Sequence, residues 1–330
     1  MSHTLASKCL DKTKDKIRST YNNKVISDFG TFGGLCRLGE YKDPVLVSSI
    51  DGVGTKIKLA VRTKNVVCPH GNIGRDLVNH CVNDILVHGA NPLYFLDYFA
   101  TSKLHPGIFE DLMSGMVDAC REVNCPIIGG EFAEMTNFYR DGEYDVAGCI
   151  TGVVERDRVI TGETICNGDI LIGLSSSGLH TNGFSVLSSI LLNRYDLDHK
   201  FPELNTTLEE ELLIPHRCYY NLVRKLLDSF DVHGIAHITG GGIVENVRRV
   251  IPKTLGFVIE WGSWHQNLIF TAIRNYGFPR PTAELMRETF NLGIGMVLVV
   301  RSAQAEEIFA WIKKYWLEGT PYLIGKVTVP

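Results

Sequence analysis

The stretch Asp169-Ile-Leu-Ile-Gly-Leu174, followed at once by Ser175-Ser-Ser-Gly-Leu-His-Thr-Asn-Gly183, decides how this chain is interpreted. A short Ile/Leu run bounded by glycine predicts a buried strand, and the apolar pattern that resumes at Phe184 predicts a helix. Hydroxyl, imidazole and amide groups therefore lie between a strand end and a helix N-terminus, where free backbone N–H groups and the helix dipole favour an anion. The alternative is an ordinary turn capped by Ser or Asn.

Apolar runs typical of strands alternate with helix-like segments over the rest of the chain, which predicts an α/β or α+β fold. The predicted strands are residues 45–50, 93–99, 146–154, 169–174, 255–259 and 295–300. The predicted helices are residues 72–89, 107–124, 184–193, 212–230, 243–250 and 303–316. A polar stretch over residues 156–169 predicts the boundary between an N-terminal domain, 1–165, and a C-terminal domain, 166–330.

Composition restricts the class of protein. The chain has 330 residues, 45% of them hydrophobic, and a formal net charge of −4 with Lys and Arg scattered along it. This pattern argues against nucleic acid or an anionic membrane as a partner. The first 19 residues lack a signal-peptide core, and no apolar run is long enough to span a bilayer, so we expect a cytoplasmic protein. Nine cysteines without a Cys-x-x-Cys pair predict reduced, buried thiols, and residues 8–16 predict a solvated arm or an amphipathic helix.

A second motif, Asp51-Gly-Val-Gly-Thr-Lys56, follows the first predicted strand. Its glycines allow close backbone approach to a ligand, Lys56 offers a positive charge, and Asp51 is a natural oxygen ligand for Mg²⁺. A hairpin turn is the alternative. The predicted helix 72–89 has a polar face that includes Asp84, a second carboxylate that could share a metal ion with Asp51, unless that face is simply solvated.

Two more segments combine glycine with polar side chains. In Gly129-Gly-Glu-Phe-Ala-Glu-Met135 we expect Glu131 and Glu134 on one side of a helical turn, with a capping Glu after a glycine pair as the alternative. His237-Ile-Thr-Gly-Gly-Gly242 precedes the predicted helix 243–250 and is a second candidate anion-binding nest.

Taken together and in this order, the motifs resemble those of the phosphoribosylformylglycinamidine cyclo-ligase (aminoimidazole ribonucleotide synthetase) family over residues 20–327. Three further stretches carry the resemblance: Val82-Asn-Asp-Ile-Leu86, Phe95-Leu-Asp-Tyr98 and Thr289-Phe-Asn-Leu-Gly-Ile-Gly-Met296. The resemblance implies a homodimer in which N-terminal sheets join into a barrel, with ATP near the interface and Mg²⁺ as cofactor. It also implies that formylglycinamidine ribonucleotide binds on the C-terminal side of a cleft between the domains.

The resemblance assigns roles by position. It implies ATP contacts from the glycine loop, from the Asp51 motif and from the predicted helix 72–89: Gly30, Gly33, Asp51, Gly52, Gly54, Thr55, Lys56, Asn83 and Asp84. It implies Mg²⁺ ligands Asp51 and Asp84, with Glu131 or Asp97 as weaker candidates. It implies substrate contacts from two loops of the second half: Ser176, Ser177, Gly178, His180, Asn182, Gly183, His237, Thr239, Gly240 and Gly241.

The implied chemistry explains these residue types. Phosphorylation of the formyl oxygen by ATP gives an iminophosphate, and the ring-closing nitrogen then displaces phosphate. Such a transfer needs in-line positioning and charge neutralisation. Lys56 and Asp84 are the expected catalytic partners of the phosphates. His180 is our hypothesis for proton handling or for gripping the transferring phosphate, because imidazole titrates near neutral pH.

The chain departs from the family pattern in three places. The N-terminal loop over residues 27–34 has fewer glycines and an added carboxylate, and Phe132 and His216 stand where threonine is usual. Thiamine-phosphate kinase and selenophosphate synthetase share the superfamily and remain alternatives, although no cysteine stands beside a lysine in a glycine loop. A non-catalytic nucleotide-binding subunit is the alternative from a different class.

Overall fold

The computed structural model describes residues 5–330, with side chains from Lys8 onward, as two compact units. Unit 1 extends to Ile85 and resumes over Ala90–Arg158, and unit 2 comprises Leu86–Gly89 and Val159–Pro330. Each unit has one β-sheet and several helices, so the expected mixed α/β (α+β) fold in two parts is confirmed. The barrel across a homodimer stays a prediction.

Unit 1 is built on a four-stranded sheet in the order β1-β4-β2-β3. Its strands are β1 (Pro44–Gly52), β2 (Asn91–Thr101), β3 (Ile127–Glu134) and β4 (Tyr144–Glu155). Its helices are α1 (Leu5–Arg18), α2 (Ile57–Arg62), α3 (Pro69–Leu86) and α4 (Pro106–Glu122), with 3₁₀ turns at Gly54–Lys56 and Arg156–Arg158. Strand β4 is antiparallel to both of its neighbours, and β2 and β3 are parallel.

The two faces of the unit 1 sheet differ. Strand alternation puts Phe95 and Phe99, which are 0% and 2% exposed, on one face. The register places Leu46, Ile50 and Tyr98 on the other face, where they are 59%, 72% and 40% exposed. One face of this sheet therefore leaves large apolar side chains in contact with solvent.

Helices α3 and α4 approach each other backbone to backbone at three glycines. A Cβ atom added to Gly115 would lie 1.9 Å from the carbonyl oxygen of Gly71, and one added to Gly74 would lie 2.2 Å from the carbonyl oxygen of Leu112. No side chain fits at such distances, so glycine is required for this packing.

Unit 2 is built on a five-stranded antiparallel sheet in the order β6-β8-β5-β9-β7. Its strands are β5 (Ile170–Ser175), β6 (Gly234–His237), β7 (Gly256–Ile259), β8 (Ile294–Val300) and β9 (Pro321–Thr328). Its helices are α5 (Phe184–Leu187), continued by a π-helical turn over Ser188–Leu192, α6 (Leu208–Leu212), α7 (Tyr220–Leu227), α8 (Gly242–Val250), α9 (Leu268–Tyr276), α10 (Ala283–Thr289) and α11 (Ser302–Tyr315).

Both faces of the unit 2 sheet are covered, which explains the continuous apolar run of β5. Ile172 and Leu174 belong to a core cluster that includes Leu226 of α7 and Ile308 of α11. Leu171, pointing the other way, belongs to a second cluster with residues of α8. A strand buried on both faces has no polar alternation.

Several sequence-based expectations need correction. Residues 127–134 form strand β3 rather than a helical turn, so Glu131 and Glu134, an odd number of residues apart, point to opposite faces. The helix predicted over 212–230 is shortened to Tyr220–Leu227, because a residue before proline, here Ile214 before Pro215, is disfavoured in a helix. Strands β6 and β9 were not predicted.

Residues 8–16 belong to helix α1, so the solvated-arm interpretation is wrong and the amphipathic-helix alternative holds. From Lys8 onward, the buried side chains of that helix are Cys9, Thr13 and Ile17, which are spaced by four residues. All nine cysteines are free thiols, but Cys68 and Cys166 are exposed rather than buried. Over residues 5–330, no helix combines the length and the apolar character needed to cross a bilayer.

We predict that Gly115→Ala lowers the free energy of unfolding by about 1–3 kcal/mol or more, because the new methyl group forces α3 and α4 apart. Gly107→Ala in the same helix is the matched control, since nothing lies within 4 Å of its added Cβ. Urea denaturation should show the control unchanged or up to about 1 kcal/mol more stable. Equal effects of the two changes would contradict the close packing of the helices.

Candidate functional site

Helix α3 directs a row of polar side chains at strand β1 and the turn after it. Asp76, His80 and Asp84 are spaced by four residues and so lie on one side of the helix. Each has a partner across the gap: Lys56 Nζ to Asp76 Oδ2 at 2.8 Å, His80 Nε2 to Asp51 Oδ2 at 2.9 Å, and Ser49 Oγ donating to Asp84 Oδ2 at 2.8 Å. We call these three pairs the α3–β1 ladder.

The ladder favours an ionised carboxylate at Asp51. Burial raises the pKa of this carboxyl group, but hydrogen bonds from His80 and from the Gly52 N–H outweigh burial and hold the pKa below its usual value. Burial lowers the pKa of His80, and its hydrogen bond to Asp51 together with the charges of Asp51, Asp84 and Asp76 outweighs burial and raises it. Asp51 and Asp84 thus flank one imidazole, and both are partly open to solvent. Such oxygens suit a hard cation.

Lys56 belongs to the most deeply buried pair of the ladder. Its side chain is 0% exposed and its ammonium group is paired with the equally buried Asp76. Burial lowers the pKa of Lys56, while the charge and hydrogen bond of Asp76 oppose that shift. Losing one member of such a buried pair typically costs about 3–5 kcal/mol. The Lys56 ammonium is thus held by Asp76, which anchors the turn, and its expected contact with ATP phosphates stays a prediction.

The other residues of the Asp51 motif and of α3 that were expected near ATP differ in how exposed they are to solvent. Gly54 and Thr55 are exposed in the 3₁₀ turn, where their backbone can approach a ligand. Gly52 is half-buried, and a Cβ atom added to it would lie 3.2 Å from the Val146 carbonyl oxygen. Asn83 is 0% exposed, so its side chain offers no atom to a ligand at the surface, contrary to the expectation.

Unit 2 holds a cavity of about 990 Å³ on α8 and α10, lined in part by Gly241. Unit 1 holds a cavity of about 530 Å³ beside β2 and β3. The unit 1 cavity brings together Gly30 and Gly33 of the N-terminal loop, Asp97 of β2, and Gly130 and Glu131 of β3. The glycine loop therefore covers this cavity rather than the α3–β1 ladder.

Asp97 is distinguished by its protonation. Burial raises the pKa of its carboxyl group to about 7. Gly130 is needed beside it, because a Cβ atom at that position would lie 2.5 Å from Asp97 Oδ1. A carboxyl group that is half protonated near neutral pH is a weaker ligand for a cation than Asp51.

Glu131 is not brought to the expected metal ligands within one copy of the chain. Strands β3 and β1 are the opposite edges of the sheet, three strand spacings or roughly 14 Å apart. The exposed Glu131 carboxylate instead accepts a hydrogen bond from the Phe132 N–H. One ion cannot bind Asp51, Asp84 and Glu131 of the same copy.

In unit 2, the loop after β5 is held by hydrogen bonds of its own. The Ser176 hydroxyl, 4% exposed, contacts the Gly178 carbonyl oxygen at 2.9 Å and Asn291 Oδ1 at 3.1 Å. The Ser177 hydroxyl donates to the Pro215 carbonyl oxygen at 2.6 Å. These two hydroxyls shape the loop, so their expected role as direct substrate contacts is not what the geometry favours.

Three histidines meet behind this loop. The rings of His180 and His216 stack with centroids 4.0 Å apart, and His216 Nε2 lies 3.0 Å from His237 Nε2. The Ser177 N–H donates to His180 Nε2 at 3.2 Å, so a neutral His180 carries its proton on Nδ1. His180 has a positive φ of 63° and is 2% exposed. Imidazoles in contact can pass or share a proton.

The glycine segment before α8 meets the same loop. Asn246 Nδ2 donates to the carbonyl oxygens of Thr239, Gly240 and Gly242, which fixes the turn. Gly241 adopts a left-handed φ of 90°, and a Cβ atom added to Gly240 would lie 3.4 Å from Asn182 Oδ1. The structure therefore brings the two predicted substrate loops together.

Gly183 completes the loop at its helix end. It adopts a φ of 84°, and a Cβ atom added there would lie 2.4 Å from the Phe290 ring, so only glycine fits. Asn182, Gly183, Thr239 and Gly241 are half-buried and Gly240 is exposed. Ser177 is also half-buried, but its hydroxyl is engaged with Pro215, which leaves the other five as the accessible members of the predicted set.

Some functional residues were missed from the sequence. Asp76 and His80 lie on the polar face of the predicted helix, but nothing in a single sequence assigns partners to them. That face is buried rather than solvated. Asn291, which holds Ser176, and Tyr219, whose hydroxyl donates to the Ser175 carbonyl oxygen at 2.9 Å, were also missed. Asn291 stands in the quoted stretch 289–296, which was the available signal.

Both halves of the chain match the domains of one known protein family. Residues 34–154 match the AIR synthase related protein N-terminal domain, and residues 167–330 match the corresponding C-terminal domain. The chain belongs to the AIR synthase related protein family, as the sequence motifs indicated.

The chain is also similar to individual members of this family over nearly its whole length. The chain is 46% identical over 322 residues to a phosphoribosylformylglycinamidine cyclo-ligase of Trichlorobacter lovleyi, covering 96% of this chain and 90% of that protein. The suspected family is thereby confirmed.

Solved structures share the fold at low sequence identity. Thiamine-monophosphate kinase from Stenotrophomonas maltophilia superposes with a TM-score of 0.72 at 12% identity, over 96% of this chain and 93% of that one. The hydrogenase maturation protein HypE in complex with ATP superposes with a TM-score of 0.66 at 17% identity, over 99% and 88%. At such identities these two structures show the fold alone, so the kinase alternative gains nothing from them.

We predict that Asp97 makes stability depend on pH. Its pKa of about 7 lies above that of an unfolded aspartate, so its contribution is complete below about pH 4 and is lost as pH rises through 7. Between pH 5 and pH 8 the native protein should lose about 2 kcal/mol more than Asp97→Asn in urea denaturation. Asp145→Asn, which removes an exposed carboxylate from the same sheet, should keep the native slope. An unchanged slope in Asp97→Asn would contradict the shift.

Proposed function

We propose that this protein catalyses the ATP-dependent ring closure of formylglycinamidine ribonucleotide to 5-aminoimidazole ribonucleotide, with release of ADP and phosphate, in purine biosynthesis. The kinship with a cyclo-ligase at 46% identity over nearly the whole chain is the observation that carries the proposal. The α3–β1 ladder supports it, because the ladder supplies the anionic oxygens that a metal–nucleotide complex requires.

Asp51 and Asp84 are our proposed ligands for Mg²⁺. The donor set fits that ion, since both side chains offer oxygen and His80 holds the Asp51 carboxylate ionised. The exposed backbone of Gly54 and Thr55 forms the 3₁₀ turn before α2, and the absence of a side chain at Gly54 lets a phosphate group approach this backbone closely. When bound, Mg-ATP supplies the phosphoryl group that turns the formyl oxygen into a leaving group. Lys56 keeps the turn in place through Asp76.

Unit 2 supplies the proposed substrate loops. Asn182, Gly240 and the left-handed Gly241 present amide and backbone groups suited to the polar and phosphate groups of a ribonucleotide. His180 is the proposed proton carrier, supported by its stacking on His216. Hydrogen bonds from Ser176 and Ser177 hold the loop that carries His180, so these serines act through positioning.

We also propose a cytoplasmic location, supported by the nine free thiols, since thiols stay reduced in that compartment.

We propose in addition that the protein is a homodimer. The exposed apolar side chains Leu46, Ile50 and Tyr98 share one face of the unit 1 sheet, while the opposite face is buried. A solvent-facing apolar surface of this kind favours association with a second copy.

The assay that tests the function mixes the purified protein with Mg-ATP and formylglycinamidine ribonucleotide. ADP should form in equal amount to a product lighter than the substrate by one water. Asp51→Asn should lower kcat/KM at least about 100-fold, or ~2.7 kcal/mol, because the metal loses an anionic ligand. Asp145→Asn is the matched control: both carboxylates accept the N–H of the next residue, but only Asp51 contacts His80.

Other outcomes of this assay would overturn the proposal. ADP without a cyclised product would indicate a kinase or synthetase of the same superfamily, and ATP binding with neither product would indicate a regulatory subunit.

His180→Asn keeps a residue that tolerates positive φ, and we expect it to lower kcat at least about tenfold. A loss within about threefold, with exposed His265→Asn as control, would remove His180 from the mechanism.

We predict that Ile50→Lys converts a dimer into a monomer in analytical ultracentrifugation. The change puts a charge in the middle of the exposed apolar face, where a second copy would have to desolvate it. Leu317→Lys is the control, because Leu317 is 92% exposed but lies in unit 2. A monomeric native protein, or an unchanged dimer in Ile50→Lys, would contradict this interface.

A further inference from the structure

A cluster of metal-ligating side chains lies at the start of strand β5, where no proposed function has been placed. Cys166, Asp169 and His233 each offer one ligand atom, and these atoms lie within 4.8 Å of one another. Asp169 and His233 are 1% and 3% exposed, and Cys166 is exposed. The cluster thus has two fixed ligands and one open side through which an ion can enter.

Hydrogen bonds arrange the three groups around the Asp169 carboxylate. The Cys166 thiol donates to Asp169 Oδ1 at 3.3 Å, and His233 Nδ1 lies 2.6 Å from Asp169 Oδ2. The Cys166 N–H also donates to Asp169 Oδ2 at 3.0 Å. Two protons, one on sulfur and one on nitrogen, therefore point at one carboxylate. A cation in their place would meet a thiolate, an imidazole nitrogen and a carboxylate oxygen.

We infer that Cys166, Asp169 and His233 form a binding site for a divalent cation of the zinc type. Sulfur, nitrogen and oxygen together are a donor set that Zn²⁺ accepts, whereas Mg²⁺ prefers oxygen alone. Ligands at about 2.0–2.3 Å from one ion lie roughly 3.3–3.8 Å apart. The Cys166–Asp169 pair, at 3.3 Å, already has this spacing, and the His233–Asp169 pair, at 2.6 Å, would widen as the ion replaces the proton between them. Three protein ligands leave the fourth position to solvent at the open side. When the ion binds, the thiol proton is released to solvent and the imidazole proton moves from Nδ1 to Nε2.

The surroundings of His233 accommodate this exchange. Its Nε2 atom lies 3.4 Å from Arg301 Nη2 and 3.8 Å from Asp231 Oδ2. With Nδ1 on the ion, the ring carries its proton on Nε2, the nitrogen that faces the Asp231 carboxylate at 3.8 Å, and the negative charge of that carboxylate favours this tautomer. Arg301, already 3.9 Å from the Asp231 carboxylate, then keeps that carboxylate as its partner.

The position of the cluster indicates a structural role. It stands at the N-terminal end of β5, whereas the loop with His180 follows the C-terminal end, about 20 Å along the strand. The Gly168 N–H donates to the Val327 carbonyl oxygen, and the Val327 N–H donates to that of Asp169, so the segment before β5 is paired with β9. The ion would fasten this segment to His233, directly before β6. This inference is independent of the proposed function.

Cobalt titration of the full-length protein, freed of metal by a chelator, tests the site. Co²⁺ should produce the near-ultraviolet charge-transfer band of a thiolate ligand and the visible bands of a tetrahedral ion, and Zn²⁺ should bleach both. Cys166→Ser should lose the near-ultraviolet band and bind Co²⁺ at least about tenfold more weakly. Cys166 is exposed, so the variant should keep the native circular dichroism spectrum.

Cys68→Ser is the matched control. Cys68 is also exposed and lies beside a carboxylate, Asp111, which raises the pKa of its thiol. The nearby His70 ring, however, is engaged through Nδ1 with the Tyr144 hydroxyl at 2.9 Å. Cobalt spectra of Cys68→Ser should match those of the native protein. A native protein without the thiolate band, or a band that survives in Cys166→Ser, would overturn the site.

Thermal unfolding gives a second measurement that does not depend on the spectrum. Zn²⁺ at about 100 times its Kd should raise the Tm of the native protein and of Cys68→Ser by roughly 5 °C, because only the folded state holds the three ligands together. Cys166→Ser should show about half of that shift or less. Equal shifts in all three proteins would place the zinc elsewhere and reject the assignment.

Discussion

The α3–β1 ladder is the interaction on which the rest of unit 1 depends. Its deepest pair, Lys56 with Asp76, is fully buried, so neither charge can be removed alone without exposing the other to an apolar surrounding. The pair fixes the turn after β1, and that turn fixes Asp51 against His80. Burial decreases along the ladder from Asp76 to Asp84. Asp76 is therefore a structural anchor, whereas Asp84 is a partly solvated carboxylate that can hold an ion.

Glycine provides space at the points where polar groups must be close to backbone. Gly130 leaves room for the Asp97 carboxyl group, and the glycines between α3 and α4 let the helix that carries the ladder pack closely on its neighbour. In unit 2, Gly183 accommodates the Phe290 ring. Each of these glycines is required by a contact, and together they explain why the motifs are rich in glycine without forming a single phosphate-binding loop.

The structure separates residues that the sequence motifs grouped together. Gly30, Gly33 and Glu131 line a cavity at one edge of the unit 1 sheet, and Asp51 and Asp84 lie at the other. In unit 2 the hydroxyls of the buried Ser176 and the half-buried Ser177 form hydrogen bonds that hold the loop itself, which leaves Asn182 and Gly240 accessible.

The sequence by itself determined the family, the mixed α/β class, most strands and helices, and the residues that carry polar chemistry, because periodicity and ordered motifs are local properties. It could not determine that residues 127–134 pair as a strand, nor that the polar face of α3 is buried. Only the tertiary structure decided that Lys56 faces Asp76, and that Cys166 meets His233 across 67 positions of sequence. Pairing and burial depend on which distant segments become neighbours, and that information is not contained in any single stretch of the chain.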